Sequence, residues 1–251
     1  MTSSFGSPSP FVEGLPSITV LVGHAGVGKT NTALGLALGL AEDGHDVTIA
    51  DLDLVNPYFR SSDYPELLSS HGVRLVAPVF ARTTLDTPSL TGELDAVLAD
   101  IASDPDRRLV IDVGGDDDGA TALGRYAGPI QSAQARVLYV VSAFRSLTTT
   151  AAEAAALVPG IESHSHLRVD AVLNTSNLGE ETTERDVARG REFARECAGL
   201  LGLPLAATVI PERVLAGRAP DVVFNVLTKD GIGDEELLVM PKYVSTPWDI
   251  L

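Results

Sequence analysis

Eight consecutive residues, Gly23-His24-Ala25-Gly26-Val27-Gly28-Lys29-Thr30, meet the spacing G-x-x-x-x-G-K-[ST] at every fixed position. That spacing suits the binding of a phosphate chain. Glycines let the backbone wrap until consecutive N–H groups point at phosphate oxygens, and a helix beginning at the lysine adds the partial positive charge of its N-terminus. Lys29 would reach the β- and γ-phosphates, and the Thr30 hydroxyl would ligate Mg²⁺. Asn31, in the first helical turn, is grouped with the residues expected against the nucleotide. An apolar run, Ile18-Thr19-Val20-Leu21-Val22, precedes the loop and a helical pattern follows it. This is the strand–loop–helix setting such a loop needs.

A phosphate loop needs acidic partners for the metal and for water. Two segments offer them at the ends of apolar runs, where parallel sheets place their ligands. One is Asp51-Leu52-Asp53-Leu54-Val55-Asn56-Pro57-Tyr58, the other Leu109-Val110-Ile111-Asp112-Val113-Gly114-Gly115. The second is Walker-B-like, with Asp112 holding Mg²⁺ directly or through a water. Asp51, at the strand end, would face the metal and its waters. Taken alone, either segment could be an ordinary turn, and the phosphate loop upstream is what weighs against that. Asp116-Asp117-Asp118 reads as the acidic start of a helix, with a second metal site as the alternative. His164-Ser165-His166 reads as a solvated loop.

The elements that must position these residues follow from periodicity. Apolar runs at 18–22, 47–50, 73–77, 109–113, 137–142, 169–173 and 207–210 show little polar alternation, as expected of strands covered on both faces. Helical patterns at 29–43, 65–71, 92–103 and 182–201 fall between them, the first stopped by Gly44. Strands alternating with helices imply an α/β fold, one three-layer domain with a mainly parallel sheet of about seven strands and helices on both faces. Residues 1–17, rich in Ser, Pro and Gly, read as a flexible tail, 18–228 as the nucleotide-binding domain, and 229–251 as an extension packed on it.

Composition bounds the partners. The 251 residues carry a formal charge of −16 with only 18 Lys and Arg, so nucleic acid and anionic membrane are not expected as partners. A single cysteine, Cys197, gives no expectation of a disulfide or an iron–sulfur cluster. A cytoplasmic location is the default reading.

On these motifs the sequence resembles the MinD/ParA/CobQ group of P-loop ATPases, in the SIMIBI class that includes nitrogenase iron protein and signal-recognition GTPases. The likeness covers about residues 18–225. It also looks like a bacterial branch carrying G-H-x-G-x-G-K-T, D-x-D-x-x-N-P-Y-F and D-V-G-G-D-D signatures, a likeness that implies no particular reaction. The resemblance implies ATP and Mg²⁺ as cofactors. It assigns Asp53 to orienting the attacking water, Asn174 to adenine, and the Pro211-Glu212 turn to the base. The guanine-selecting N-K-x-D is absent, since Asn174 is followed by Thr175-Ser176-Asn177. One position departs from the group: its signature lysine, which reaches across a homodimer to the partner's phosphate, is His24 here. Arg60 or Arg125 would then have to supply that charge, or the homodimer is not part of activation. Three functions fit: an ATPase switch acting on an unknown protein partner, an ATP-dependent ligase like the cobyrinic acid diamide or dethiobiotin synthases, and a nucleotide-dependent scaffold without turnover. For the ligase, Arg82, Thr83 and Thr84 are the candidate second-substrate contacts.

Overall fold

The computed structural model describes residues 9–53, 60–77, 92–104, 106–115, 117–216 and 236–244. Residues 54–59, Arg82, Thr83, Thr84 and Asp116 lie outside the described residues.

Among the described residues, eight strands form one sheet in which every pairing is parallel. They are β1 (Ile18–Val22), β2 (Val47–Leu52), β3 (Arg74–Val76), β4 (Arg108–Val113), β5 (Arg136–Val141), β6 (Ala171–Asn174), β7 (Leu205–Pro211) and β8 (Glu236–Met240). Their order is β3-β2-β4-β1-β5-β6-β7-β8. The β1 strand is therefore central, flanked by β4 and β5. Its residues are all buried, yet they still alternate: Ile18, Val20 and Val22 join one core and Leu21 the other.

Those two cores are the two faces of the sheet. On one face pack α1 (Pro10–Glu13), α2 (Lys29–Glu42) and α3 (Pro65–Ser70). On the other pack α4 (Glu93–Ser103), α5 (Asp117–Gly124), α6 (Ala127–Ser132), α7 (Ala151–Ser165) and α8 (Glu184–Leu201). Local chemistry sets the helix starts. Thr150 and Thr183 each close a capping box with an acidic residue three positions on, Glu153 and Asp186, satisfying donors that the first turn leaves open. Asp117 and Asp118 occupy the first turn of α5, where they meet the positive end of its dipole. His164 and Ser165 end α7, with His166 as its left-handed cap, so they do not form the expected solvated loop.

Two boundaries differ from expectation. The run Leu237-Leu238-Val239-Met240 is not merely packed on the domain: it is the eighth strand, paired with β7. Residues 9–17 are likewise part of the fold and not a flexible tail. Phe11 and Leu15 are buried, and Glu236 Oε2 accepts from Ser9 Oγ (3.0 Å) and Phe11 N (2.9 Å). Helix α2 makes room for both additions with glycine. A Cβ on Gly35 would lie 2.5 Å from Met240 Sδ, and one on Gly39 would meet Val12.

Candidate nucleotide site

The Gly23–Thr30 loop joins the central strand to α2, and the backbone it requires explains its glycines. Gly28 is the N-cap of α2 with φ 99°, a left-handed conformation that a side chain would strain. Gly23 has φ 149° and lies so close to β5 that a Cβ would fall 2.5 Å from the Val140 carbonyl oxygen. Lys29 is 6% exposed and its Nζ donates to the carbonyls of Gly23 and His24, both at 2.9 Å. The ammonium thus lies inside the curl of the loop, where it can be handed to a phosphate.

Behind the loop sit two carboxylates. Leu21 of β1 pairs in register with Asp112, and Asp112 pairs with Asp51 of β2. Both aspartates are within 1% of full burial. Burial and the neighbouring Asp51 charge push Asp112 up to about 7, against the pull of Lys29 and of the Thr30 and Ser61 hydroxyls. Neither hydroxyl reaches Asp112 Oδ2 in hydrogen-bond geometry, and that oxygen has no partner among the described residues. Burial also raises Asp51, opposed by its hydrogen bonds. Its Oδ1 accepts from Asp53 N (2.9 Å) and its Oδ2 from Ser62 N (3.0 Å). An orphaned buried carboxylate oxygen beside a threonine hydroxyl is an all-oxygen donor set that suits a hard divalent cation such as Mg²⁺. Among the described residues no three His, Cys, Asp or Glu gather into a protein-only cage. Asp112 has the free oxygen, whereas Asp51 spends both of its own on the backbone of the loop that carries Asp53. Asp53 itself is 9% exposed and is the last described residue of that segment.

The loop after β4 is pressed against the phosphate loop. A Cβ on Gly115 would stand 2.4 Å from Ala25 N, and one on Gly119 would stand 2.7 Å from Gly114 Cα. Next to this contact lies a cavity of about 300 Å³, bordered by His24, Gly114, Asp117, Leu157 and Ile161.

The strand end proposed for the base is more committed than its sequence suggested. Asn174 is fully buried. Its Oδ1 accepts from Ser176 N (3.0 Å) and Ser176 Oγ (2.6 Å), and its Nδ2 faces Thr208 Oγ1 at 3.4 Å. The amide therefore shapes the 174–177 turn from inside instead of offering its edge to a base. Asn31 is likewise spent: Nδ2 donates to Pro241 O (3.0 Å), and Oδ1 accepts from Tyr243 N (2.7 Å) and Val244 N (3.1 Å). Only its backbone is left for a phosphate. Pro211 ends β7 and Glu212 begins an exposed turn beside it. Arg60 is paired with Asp63 at 3.7 Å. Arg125 is exposed, its guanidinium 6.0 Å from the Tyr126 ring.

Sequence reasoning passed over Thr175, whose hydroxyl donates to the Val141 carbonyl (3.0 Å) and is also hydrogen-bonded to the Val27 carbonyl. It clamps the 174–177 turn to the phosphate loop. The signal available was its place directly after Asn174. Ser61 and Ser62 were also missed, because the chain between Asp53 and them carries no periodic pattern.

A parallel sheet with a glycine loop between its central strand and the next helix, and an acidic strand end beside it, defines the P-loop NTPase fold. Solved structures agree. FtsY from Mycoplasma mycoides is 21% identical with a TM-score of 0.52, over 81% of this chain and 60% of that one. FtsY from Thermotoga maritima is 17% identical with a TM-score of 0.55, over 88% and 69%. The signal recognition particle receptor FtsY from Elizabethkingia anophelis, solved in complex with GDP, is 15% identical with a TM-score of 0.53, over 83% and 60%. This chain spans 60% of the length of the Mycoplasma protein. At such identities the likeness is one of fold. No protein-family model and no curated protein matches the sequence.

Proposed function

We propose that this chain binds a Mg²⁺–nucleoside triphosphate, with ATP as the nucleotide, and hydrolyses it as a switch of the MinD/ParA/CobQ type. The observation that carries the reading is the orphaned Oδ2 of Asp112, buried beside Thr30 and the phosphate loop. A protein gains nothing in the apo state from an unpaired acid there. Asp112 and Thr30 would hold the metal, with Asp51 acting through its waters. Bound Mg²⁺ would neutralise charge on the β- and γ-phosphate oxygens. The loop amides from Gly23 to Thr30 would cradle the phosphates, Lys29 would leave its two carbonyls for the β- and γ-oxygens, and Asp53 would hold the attacking water. The base would lie over the 174–177 turn and the Pro211-Glu212 corner. That turn lacks the lysine and aspartate of N-K-x-D, which supports adenine. GDP in a solved neighbour makes guanine the alternative to exclude.

Calorimetry with Mg-ATP and Mg-GTP, alongside steady-state phosphate release, tests this. The parent should bind ATP more tightly than GTP and release phosphate. Lys29→Ala should lose about 100-fold or more in affinity, as it removes the loop's only fixed cation. Unchanged affinity in that variant would sink the assignment. A second reading, transfer of the phosphoryl group to a small molecule, is favoured by the cavity beside His24 and Gly114. Nucleoside diphosphate formation that rises only with an added acceptor, without an equal release of free phosphate, would select it.

A further inference from the structure

The phosphates of a bound nucleoside triphosphate carry far more negative charge than one lysine offsets, and His24 stands where the resembling proteins have a second lysine. Of the two arginines expected to compensate, Arg60 is paired with Asp63 at 3.7 Å and Arg125 lies on Tyr126.

A third arginine lies at the loop itself. Arg145 sits in the turn after β5, and its Nε is 4.0 Å from the position a Cβ on Gly26 would take. Gly26 is at the exposed tip of the phosphate loop, with φ 73°. The turn is held in place from three sides. Thr148 N donates to the Arg145 carbonyl (3.2 Å), Ala143 N donates to Ser176 Oγ (2.9 Å), and the Arg189 guanidinium stacks 5.5 Å from the Phe144 ring. Arg145 is half-buried, its Nε is buried without a hydrogen-bond partner, and no carboxylate pairs with it among the described residues. Desolvation presses its pKa downward with no compensating charge. A half-buried guanidinium without an anion is costly unless an anion arrives, and its planar fork matches phosphate oxygens.

We propose that Arg145 is the second fixed cation of the site, contacting the phosphate chain of a nucleoside di- or triphosphate from the tip of the phosphate loop, within the same chain. This rests on the nucleotide-binding reading above.

The test uses Arg145→Met, which keeps the apolar stem and removes the charge, and Arg145→Lys, which restores a charge without the fork. Calorimetric affinities for Mg-ATP and Mg-ADP are read beside the melting temperature of each nucleotide-free protein. The expected result is a loss of about tenfold to 100-fold for Arg145→Met, partial recovery in Arg145→Lys, and melting temperatures that stay the same or rise. Parent-like affinity in Arg145→Met overturns the proposal. So does an equal loss in both variants accompanied by lowered melting temperatures, which would make the side chain a packing element. If the parent binds neither nucleotide, the function proposed above falls and takes this inference with it. If the parent binds and Lys29→Ala does not, failure of the Arg145 variants to weaken binding counts against Arg145 alone.

Discussion

Asp51 and Asp112 face each other in register across the β2–β4 pair, each one residue short of its strand's end, and both are almost wholly buried. The two resolve their repulsion unequally. Asp51 has a backbone N–H on each oxygen, whereas Asp112 Oδ2 has no partner among the described residues. Burial and the Asp51 charge push Asp112 up to about 7, so it is the readier of the two to hold a proton, and the place for a cation is beside it.

That inequality has a pH signature. A carboxyl whose folded pKa is raised holds a proton that the unfolded chain releases, so its contribution is complete below the unfolded value near 4 and is lost as pH rises through about 7. The nucleotide-free protein should lose stability across that interval. The −16 net charge adds a trend of the same sign, so the informative comparison is with Asp112→Asn. That variant should melt higher than the parent at pH 8, show a shallower pH dependence, and gain no stabilisation from Mg-ATP. An Asp112→Asn protein that melts lower at pH 8 would mean the charge is compensated in the apo state.

Gly115→Ala tests the contact between the two loops. Its Cβ would have to displace the Ala25 backbone from 2.4 Å, and backbone cannot yield as the tip of a side chain can. Overpacking of this kind costs about 1–3 kcal/mol. The phosphate loop should shift, so affinity for Mg-ATP should fall at least tenfold while far-UV circular dichroism stays native. Parent-like affinity would mean that the two loops separate freely.

Much of this arrangement could be read from the sequence because its determinants are local. The phosphate loop is fixed by three glycines and the helix that follows, and the strand ends carrying Asp51 and Asp112 by mostly apolar runs. The parts that escaped depend on distant pairings. The run Leu237-Leu238-Val239-Met240 has a strand's composition, but only β7 beside it and Gly35 beneath Met240 make it one. Phe11 and Leu15 lie in a Ser/Pro/Gly-rich stretch whose partner, Glu236, is 225 positions from Phe11. Asn174 and Asn31 hold places in motifs that point to ligand contacts. Their side chains are instead taken up by Ser176 and by the chain after β8, which no local pattern announces.

Asn31→Ala measures that last connection. It strips the acceptor from Tyr243 N and Val244 N, and leaving such groups unsatisfied costs about 1–3 kcal/mol. Urea unfolding should show the loss, while ATP affinity should change less than about threefold, since only the backbone of Asn31 is open to a phosphate. A tenfold or greater loss of affinity at unchanged stability would return the side chain to the nucleotide site.

Asp53 carries the claim of hydrolysis. Its amide is anchored on Asp51 Oδ1 and its residue is 9% exposed, so its own position is set by a buried carboxylate. Phosphoryl transfer to water relies on positioning and electrostatics, and the water must be held in line with the γ-phosphate. Asp53→Asn keeps the shape and removes both the charge and the basicity. Nucleotide affinity should stay near the parent's or rise slightly, because the phosphates are met by Lys29 and the loop amides and lose a repelling neighbour. Phosphate release should fall by about 100-fold or more, the scale of a positioned acid–base group. Calorimetry and steady-state turnover on the same preparation separate the two effects. Loss of binding and turnover together would assign Asp53 to holding the loop or the metal. Turnover at the parent rate would move water activation to another acid near the phosphates, with Asp117 at the edge of the adjoining cavity the first to test.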